Sequence, residues 1–302
     1  MSEREKILEL EKEKNAVILA HNYQRPEIQD LADFVGDSLG LSMQAARVDA
    51  EIIIFCGVDF MAESAKILNP NKRVVHPEPG AKCPMAAMCD AGGLASLKKT
   101  HPDAEVVGYV NTTAACKAQM DVCCTSSNAV KVVRSVDSEK VIFVPDENLG
   151  KYVQRFVKDK EMILWPGFCP THDSISPEKI LRLKKEHPAA AVIVHPECRP
   201  EVIDLADAVK STEGMVKSVK SSDRQEFIIG TEKELIYRLK KESPGKVFHA
   251  VPGAVCPTMK MITVKSVLRA LETLEPIVEI DSETMKRARV PLQRMMDIGR
   301  GD

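Results

Sequence analysis

Pro79-Gly80-Ala81-Lys82-Cys83-Pro84, Pro166-Gly167-Phe168-Cys169-Pro170 and Pro252-Gly253-Ala254-Val255-Cys256-Pro257 are three occurrences of one phrase. Their cysteines stand at 83, 169 and 256, at intervals of 86 and 87 residues. A Pro-Gly pair breaks regular structure, and each pair follows a short apolar run: Arg73 to Val75, Glu161 to Leu164, Lys246 to Phe248. Each thiol is therefore expected on a strand-to-helix loop. The regular interval points to a triplicated fold with one thiol per copy.

Outward from these loops the copies can be aligned. Residues 16–21 read Ala-Val-Ile-Leu-Ala-His, and residues 191–195 read Ala-Val-Ile-Val-His. From His21 to Ser38 the chain aligns without a gap on His195 to Thr212, at an offset of 174, twice 87. The middle copy has diverged further, but Ser38, Thr125 and Thr212 keep the 87-residue interval. Each copy alternates short β-rich runs with helical patterns, the signature of βαβ crossovers and a parallel sheet covered on both faces. The expected fold is α/β: three homologous αβα sandwich units with short parallel sheets around a pseudo-threefold axis. The units are expected at 16–103, 104–189 and 190–275, with flanking helices in 1–15 and 276–302 packed on the first. In open parallel sheets ligands sit outside the carboxyl ends of the strands. Three such sheets facing one another would place the active site in a central cavity owned by no single unit.

Composition excludes several classes. A net charge of -2 argues against a general polyanion binder, so no nucleic acid partner is expected. The charged opening, Ser2-Glu3-Arg4-Glu5-Lys6, lacks the apolar middle of a secretion signal, and the longest apolar runs, such as Ala189 to Val194, are far too short to span a membrane. A cytoplasmic protein with no membrane partner is expected. Nine cysteines in a reducing compartment point to metal ligands or buried thiols rather than disulfides.

Three thiolates converging on an axis can hold zinc, with water as fourth ligand, or an iron-sulfur cluster. Zinc sites of this kind usually draw two ligands from one local knuckle, and the chain has no Cys-x-x-Cys. Three separate loops suit a larger object, and three thiolates leave one iron of a cubane free to act as a Lewis acid. Of the other cysteines, Cys56, Cys89 and Cys116 read as packing residues, and adjacent Cys123 and Cys124 point to opposite faces of a strand. His21 and His195 end first strands and are expected to face the cavity, which His172, three residues after Cys169, is also placed to enter. His101 and His187 precede prolines at helix ends and read as structural, whereas His76 and His249 end fourth strands and are expected to shape the Cys loops. Ser38, Ser126, Ser211 and Thr212 stand where strands give way to helices; they suit helix capping and also anion binding. Tyr23 and Glu197 occupy the second residue after their aligned histidines, where a phenol and a carboxylate could move protons.

These residues resemble the quinolinate synthase family. The resemblance is carried by His21-Asn22-Tyr23-Gln24, Gly36-Asp37-Ser38, Gly57-Val58-Asp59-Phe60-Met61-Ala62-Glu63, Tyr109-Val110-Asn111, Thr125-Ser126-Ser127-Asn128-Ala129, His195-Pro196-Glu197-Cys198 and Ser211-Thr212-Glu213-Gly214-Met215. It implies a [4Fe-4S] cluster on Cys83, Cys169 and Cys256, and condensation of iminoaspartate with dihydroxyacetone phosphate to quinolinate, with loss of phosphate and two waters. It further implies Tyr23 and Glu197 as the pair serving keto-aldehyde isomerisation of the condensed intermediate. His21, Ser38, Tyr109, Asn111, Ser126, His172, His195, Ser211 and Thr212 are implied as the substrate-binding wall, and an aspartate oxidase or dehydrogenase as the source of iminoaspartate. One departure stands out: longer bacterial members carry a Cys-x-x-Cys-x-x-Cys run near the third ligand, whereas Cys256 is followed by Pro257-Thr258-Met259. A redox switch built on that run is not expected here.

Overall fold

A computed structural model describes residues 2–301. Its twelve strands are β1 (Ala16–His21), β2 (Phe34–Gly36), β3 (Ile52–Cys56), β4 (Arg73–Val75), β5 (Ala104–Tyr109), β6 (Val122–Cys124), β7 (Lys140–Val144), β8 (Glu161–Leu164), β9 (Ala191–Val194), β10 (Ala208–Val209), β11 (Glu226–Gly230) and β12 (Val247–Ala250). They form three four-stranded parallel sheets in the orders β2-β1-β3-β4, β6-β5-β7-β8 and β10-β9-β11-β12. The same order three times is the structural form of the sequence repeat, and the chain is built of three αβα units as expected.

The central strands are nearly continuous apolar runs because helices cover both sheet faces. Ile52-Ile53-Ile54-Phe55-Cys56 is buried along its whole length, as are residues 141–144 of β7. One polar contact recurs in every unit: Asp33, Asp121 and Asp207 each accept, at 2.7 Å, from the backbone N–H of Ile18, Val106 and Val192. The carboxylate precedes the short second strand and satisfies an amide of the first, fixing where the chain re-enters the sheet.

The helix that follows each Cys loop packs on the next unit rather than its own. Helix Pro177–Glu186 lies on β11, burying Ile180 and Leu183 beside Val192, Val194 and Ile228. Helix Val264–Thr273 closes the ring in the same way: Val267, Ala270 and Leu271 join Ile7, Ile18 and Ile54 of the first unit. Sequence period and packing are thus offset by one helix. The N-terminal helix Glu3–Glu13 packs on β1 and on helix Val264–Thr273. The C-terminal helix Ser282–Ile298 is not confined to the first unit: it touches helix Asp59–Leu68 there, and also helix Ala114–Lys117 and β6 of the second. No helix among the described residues is long and apolar enough to cross a membrane.

Candidate active site

The order 2-1-3-4 puts a topological switch point beside the first strand of each sheet, so ligand-facing residues are expected just past its carboxyl end and past that of its neighbour, the third strand. The loops past the carboxyl ends of the strands in all three units meet in one cavity. His21, Tyr23 and Ser38 reach it from the first unit; Tyr109, Asn111, Ser126 and His172 from the second; His195, Glu197 and Thr212 from the third. Cys83, Cys169 and Cys256 line the same space. Ser211 does not line it: its hydroxyl accepts from the Gly214 amide at 3.1 Å and caps helix Thr212–Ser221. Thr212, one residue on, faces the cavity and also accepts from Asn22 Nδ2 at 2.8 Å.

Glu197 is the buried anion at the centre. Its Oε2 lies 2.6 Å from His172 Nδ1, and its Oε1 accepts from the Tyr109 hydroxyl. Burial works against its charge, but the His172 imidazole and these hydrogen bonds outweigh burial and hold its pKa below the ordinary carboxylate value. The two phenols move the other way. Burial, reinforced by the Glu197 charge, pushes Tyr23 and Tyr109 well above the ordinary tyrosine value, so both keep their protons. The resting site therefore holds the Glu197 carboxylate as an acceptor in the same cavity as two protonated phenols.

Tyr23 does not bond Glu197 directly. Its hydroxyl lies 2.6 Å from Thr231 Oγ1 and 3.5 Å from His172 Nε2, and Thr231 is 2.8 Å from the same imidazole nitrogen. His172 consequently bridges the tyrosine and the carboxylate, through Nε2 on one side and Nδ1 on the other. An imidazole with a partner at each nitrogen can pass a proton between them. Thr231, fully buried, was not among the residues singled out from sequence.

His21 and His195 are held neutral at pH 7, since burial lowers them to about 4 and about 3. They serve the cavity as hydrogen-bonding groups, and His195 Nε2 already lies 3.2 Å from Ser126 Oγ. The side-chain carbonyl oxygen of Asn111 is buried without a partner, as expected for a group whose partner is a ligand.

The three thiols are free, and each is half-buried on its loop. Burial pushes Cys83 up to about 12 and Cys169 well above the ordinary thiol value, so neither is a thiolate unaided; a cationic metal group against the sulfur would deprotonate them. The three sulfurs line the cavity from three separate loops and are not grouped within 4.8 Å of one another. Cys169, His172 and Glu197 do lie that close together, but His172 and Glu197 already bond each other and the tyrosine network.

A second set of repeat-related residues was not singled out as a set from the sequence, and two of its members brace these loops. Asp59, Asp146 and Glu232 follow the third strand of each unit. Asp59 accepts from the Cys83 amide at 3.0 Å and Glu232 from the Cys256 amide at 3.4 Å. Asp146 accepts from the Leu149 amide at 3.0 Å and leaves its other oxygen buried without a partner. Their spacing of 87 and 86 residues is the signal that could have found them.

The remaining candidates lie elsewhere. Cys56, Cys89, Cys116, Cys123, Cys124 and Cys198 are buried and line no part of the cavity. His76, expected to shape a Cys loop, bonds the Gly57 carbonyl at 3.0 Å. His249 does not shape its loop: it stacks on His187, and both rings share Glu226 at the amino end of β11, remote from the strand's cavity end.

The chain is similar throughout to proteins whose function is named. The family described as "Quinolinate synthetase A protein" matches residues 5–297. A protein of Thermodesulfovibrio yellowstonii named quinolinate synthase is 52% identical over 295 residues, covering 97% of each chain. Its namesake in Dehalococcoides mccartyi is 54% identical over 294 residues, again 97% of each, and "Quinolinate synthase 1" of Methanosarcina acetivorans is 52% identical over 97% of this chain and 96% of its own. A family match across nearly the whole chain, with the phrases that carry it brought into one cavity, places the protein in the quinolinate synthetase A family, an iron-sulfur enzyme family of NAD biosynthesis.

Proposed function

We propose that the central cavity condenses iminoaspartate with dihydroxyacetone phosphate to quinolinate, releasing phosphate and two waters, in the cytoplasm. The observation that carries this reading is the convergence of three thiols, one per unit, on the cavity that holds the Tyr23, His172 and Glu197 network. Cys83, Cys169 and Cys256 would hold a [4Fe-4S] cluster, which supplies Lewis acidity through an iron without a protein ligand.

The protein's own groups do the rest. Tyr23, kept protonated, donates; Glu197, kept ionised, accepts; His172 carries the proton between their ends of the site during keto-aldehyde isomerisation. Asn111, Ser38, Ser126, Thr212, His21 and His195 offer neutral hydrogen-bonding groups to a substrate that brings its own carboxylates and phosphate. Ser211 acts on this wall only through the helix it caps. An aspartate oxidase or dehydrogenase would supply the iminoaspartate.

The test is anaerobic reconstitution with iron and sulfide, followed by assay of quinolinate with iminoaspartate generated in situ. Quinolinate should form, and Tyr23→Phe and Glu197→Gln should each abolish most of it. Undiminished turnover in both variants would overturn their roles, and a colourless protein with one tight zinc and no acid-labile sulfide would overturn the cluster.

A further inference from the structure

The residues after the last helix lie along the seam between the first and second units. Asn128 Nδ2 donates to the Gly299 carbonyl at 2.9 Å, and the Gly301 amide donates to the Ser127 carbonyl at 3.0 Å. Between these two anchors Arg300 turns to the first unit. Its Nη1 and Nη2 donate to the two oxygens of Asp37 at 2.8 and 2.7 Å. Glycines permit the approach: a Cβ on Gly301 would stand 2.9 Å from the Ser127 carbonyl oxygen, and one on Gly40 would stand 3.1 Å from Arg300 Nη2.

Asp37 lies on the cavity wall, 6% exposed, and precedes Ser38. Its Oδ1 also accepts from the Gly40 amide at 2.7 Å, capping helix Ser38–Arg47. Burial opposes its charge; Arg300 and the cap outweigh burial, leaving the carboxyl below its ordinary value. The aligned position in the third unit holds Ser211, a neutral cap. A charged cap with a dedicated guanidinium partner is thus particular to the first unit.

We propose that Arg300 is a positioning residue of the active site: by clamping Asp37 while its neighbours are tied to Ser127 and Asn128, it fixes Ser38 on the wall of the substrate cavity. The proposal rests on the cavity being the site of quinolinate formation. A bidentate guanidinium defines both distance and orientation of the carboxylate, which an ammonium does not.

Two measurements on the reconstituted holoenzyme test it. In Arg300→Ala, hydrogen exchange of the amides at 38–41 should accelerate, and the dissociation constant for quinolinate should rise about tenfold with iron and sulfide content unchanged. Arg300→Lys should fall between. In an Asp37→Asn background the Arg300→Ala change should add nothing to either readout. Unchanged exchange and affinity, even with a lowered melting temperature, would overturn the proposal, as would full additivity. If the unaltered holoenzyme fails to bind quinolinate, the functional reading falls; the clamp is then judged on exchange alone, where unchanged protection overturns it.

Discussion

Tyr109 and Glu197 meet across the boundary between the second and third units, the phenol donating to one oxygen of the buried carboxylate while His172 holds the other. Neither unit alone contains the pair, so the carboxylate is set only when the ring is assembled. Tyr109→Phe removes one donor and leaves that oxygen buried. A hydrogen bond to a charged group contributes about 1.5–3 kcal/mol, so kcat should fall on the order of tenfold to a hundredfold. Steady-state quinolinate formation with measured cluster content is the check; a kcat within twofold of the unaltered protein would remove Tyr109 from the account.

Thr231 should matter although it carries no chemistry of its own. Its hydroxyl bonds both Tyr23 and His172, so Thr231→Val leaves two buried polar groups with one partner fewer. The expected loss in kcat is about tenfold, restored by Thr231→Ser, which keeps the oxygen. Equal losses in the valine and serine variants would mean that packing, not the hydroxyl, is what the site uses.

Asp37 supplies a pH dependence with a definite sign. Its folded pKa lies below the unfolded value of about 3.9, so it contributes stability above about pH 4 that is lost as pH falls through the folded value. Arg300→Ala leaves only burial and the cap, and breaking such a partly buried pair costs about 3 kcal/mol. The acid-unfolding midpoint, followed by circular dichroism, should therefore move to higher pH in that variant. An unmoved midpoint would show that solvent already screens the pair.

Asp59 supports a prediction about the Cys83 loop. Its Oδ1 accepts from the Cys83 amide and from the Phe60 amide, so Asp59→Ala frees the Cys83 loop without touching a thiol. Iron release from the reconstituted protein to a chelator should speed up severalfold while the initial iron content is retained. Release at the unaltered rate would mean that the loop is held by its prolines and packing alone.

Much of this was legible because duplication writes the same signal three times. The spacing of Cys83, Cys169 and Cys256 located the loops, and the aligned His21 and His195 located the strand ends that face the cavity. Ser211 shows the limit: of two adjacent hydroxyl residues, Ser211 takes the cap and Thr212 the wall, a choice made by backbone geometry at the helix start. Thr231 and Asp146 were hidden for a different reason. They follow third strands, where the text of the three copies has diverged: Asp146 is betrayed only by its register with Asp59 and Glu232, whereas Thr231 stands in register with Val58 and Pro145 and has no counterpart. The C-terminal helix is a third case, since an amphipathic pattern states that a face is buried but not which units bury it.

On the proposed function, three units each deliver one thiolate to a shared cluster that has no fourth protein ligand. Anaerobic reconstitution of Cys83→Ser, Cys169→Ser and Cys256→Ser beside Cys89→Ser and Cys124→Ser, with iron and acid-labile sulfide counted in each, tests it most directly. The first three should lose the cluster and the last two should retain four irons and four sulfides per chain, as a cubane requires. Loss of the cluster in Cys89→Ser or Cys124→Ser as well would mean four protein ligands, and would contradict an iron open to substrate.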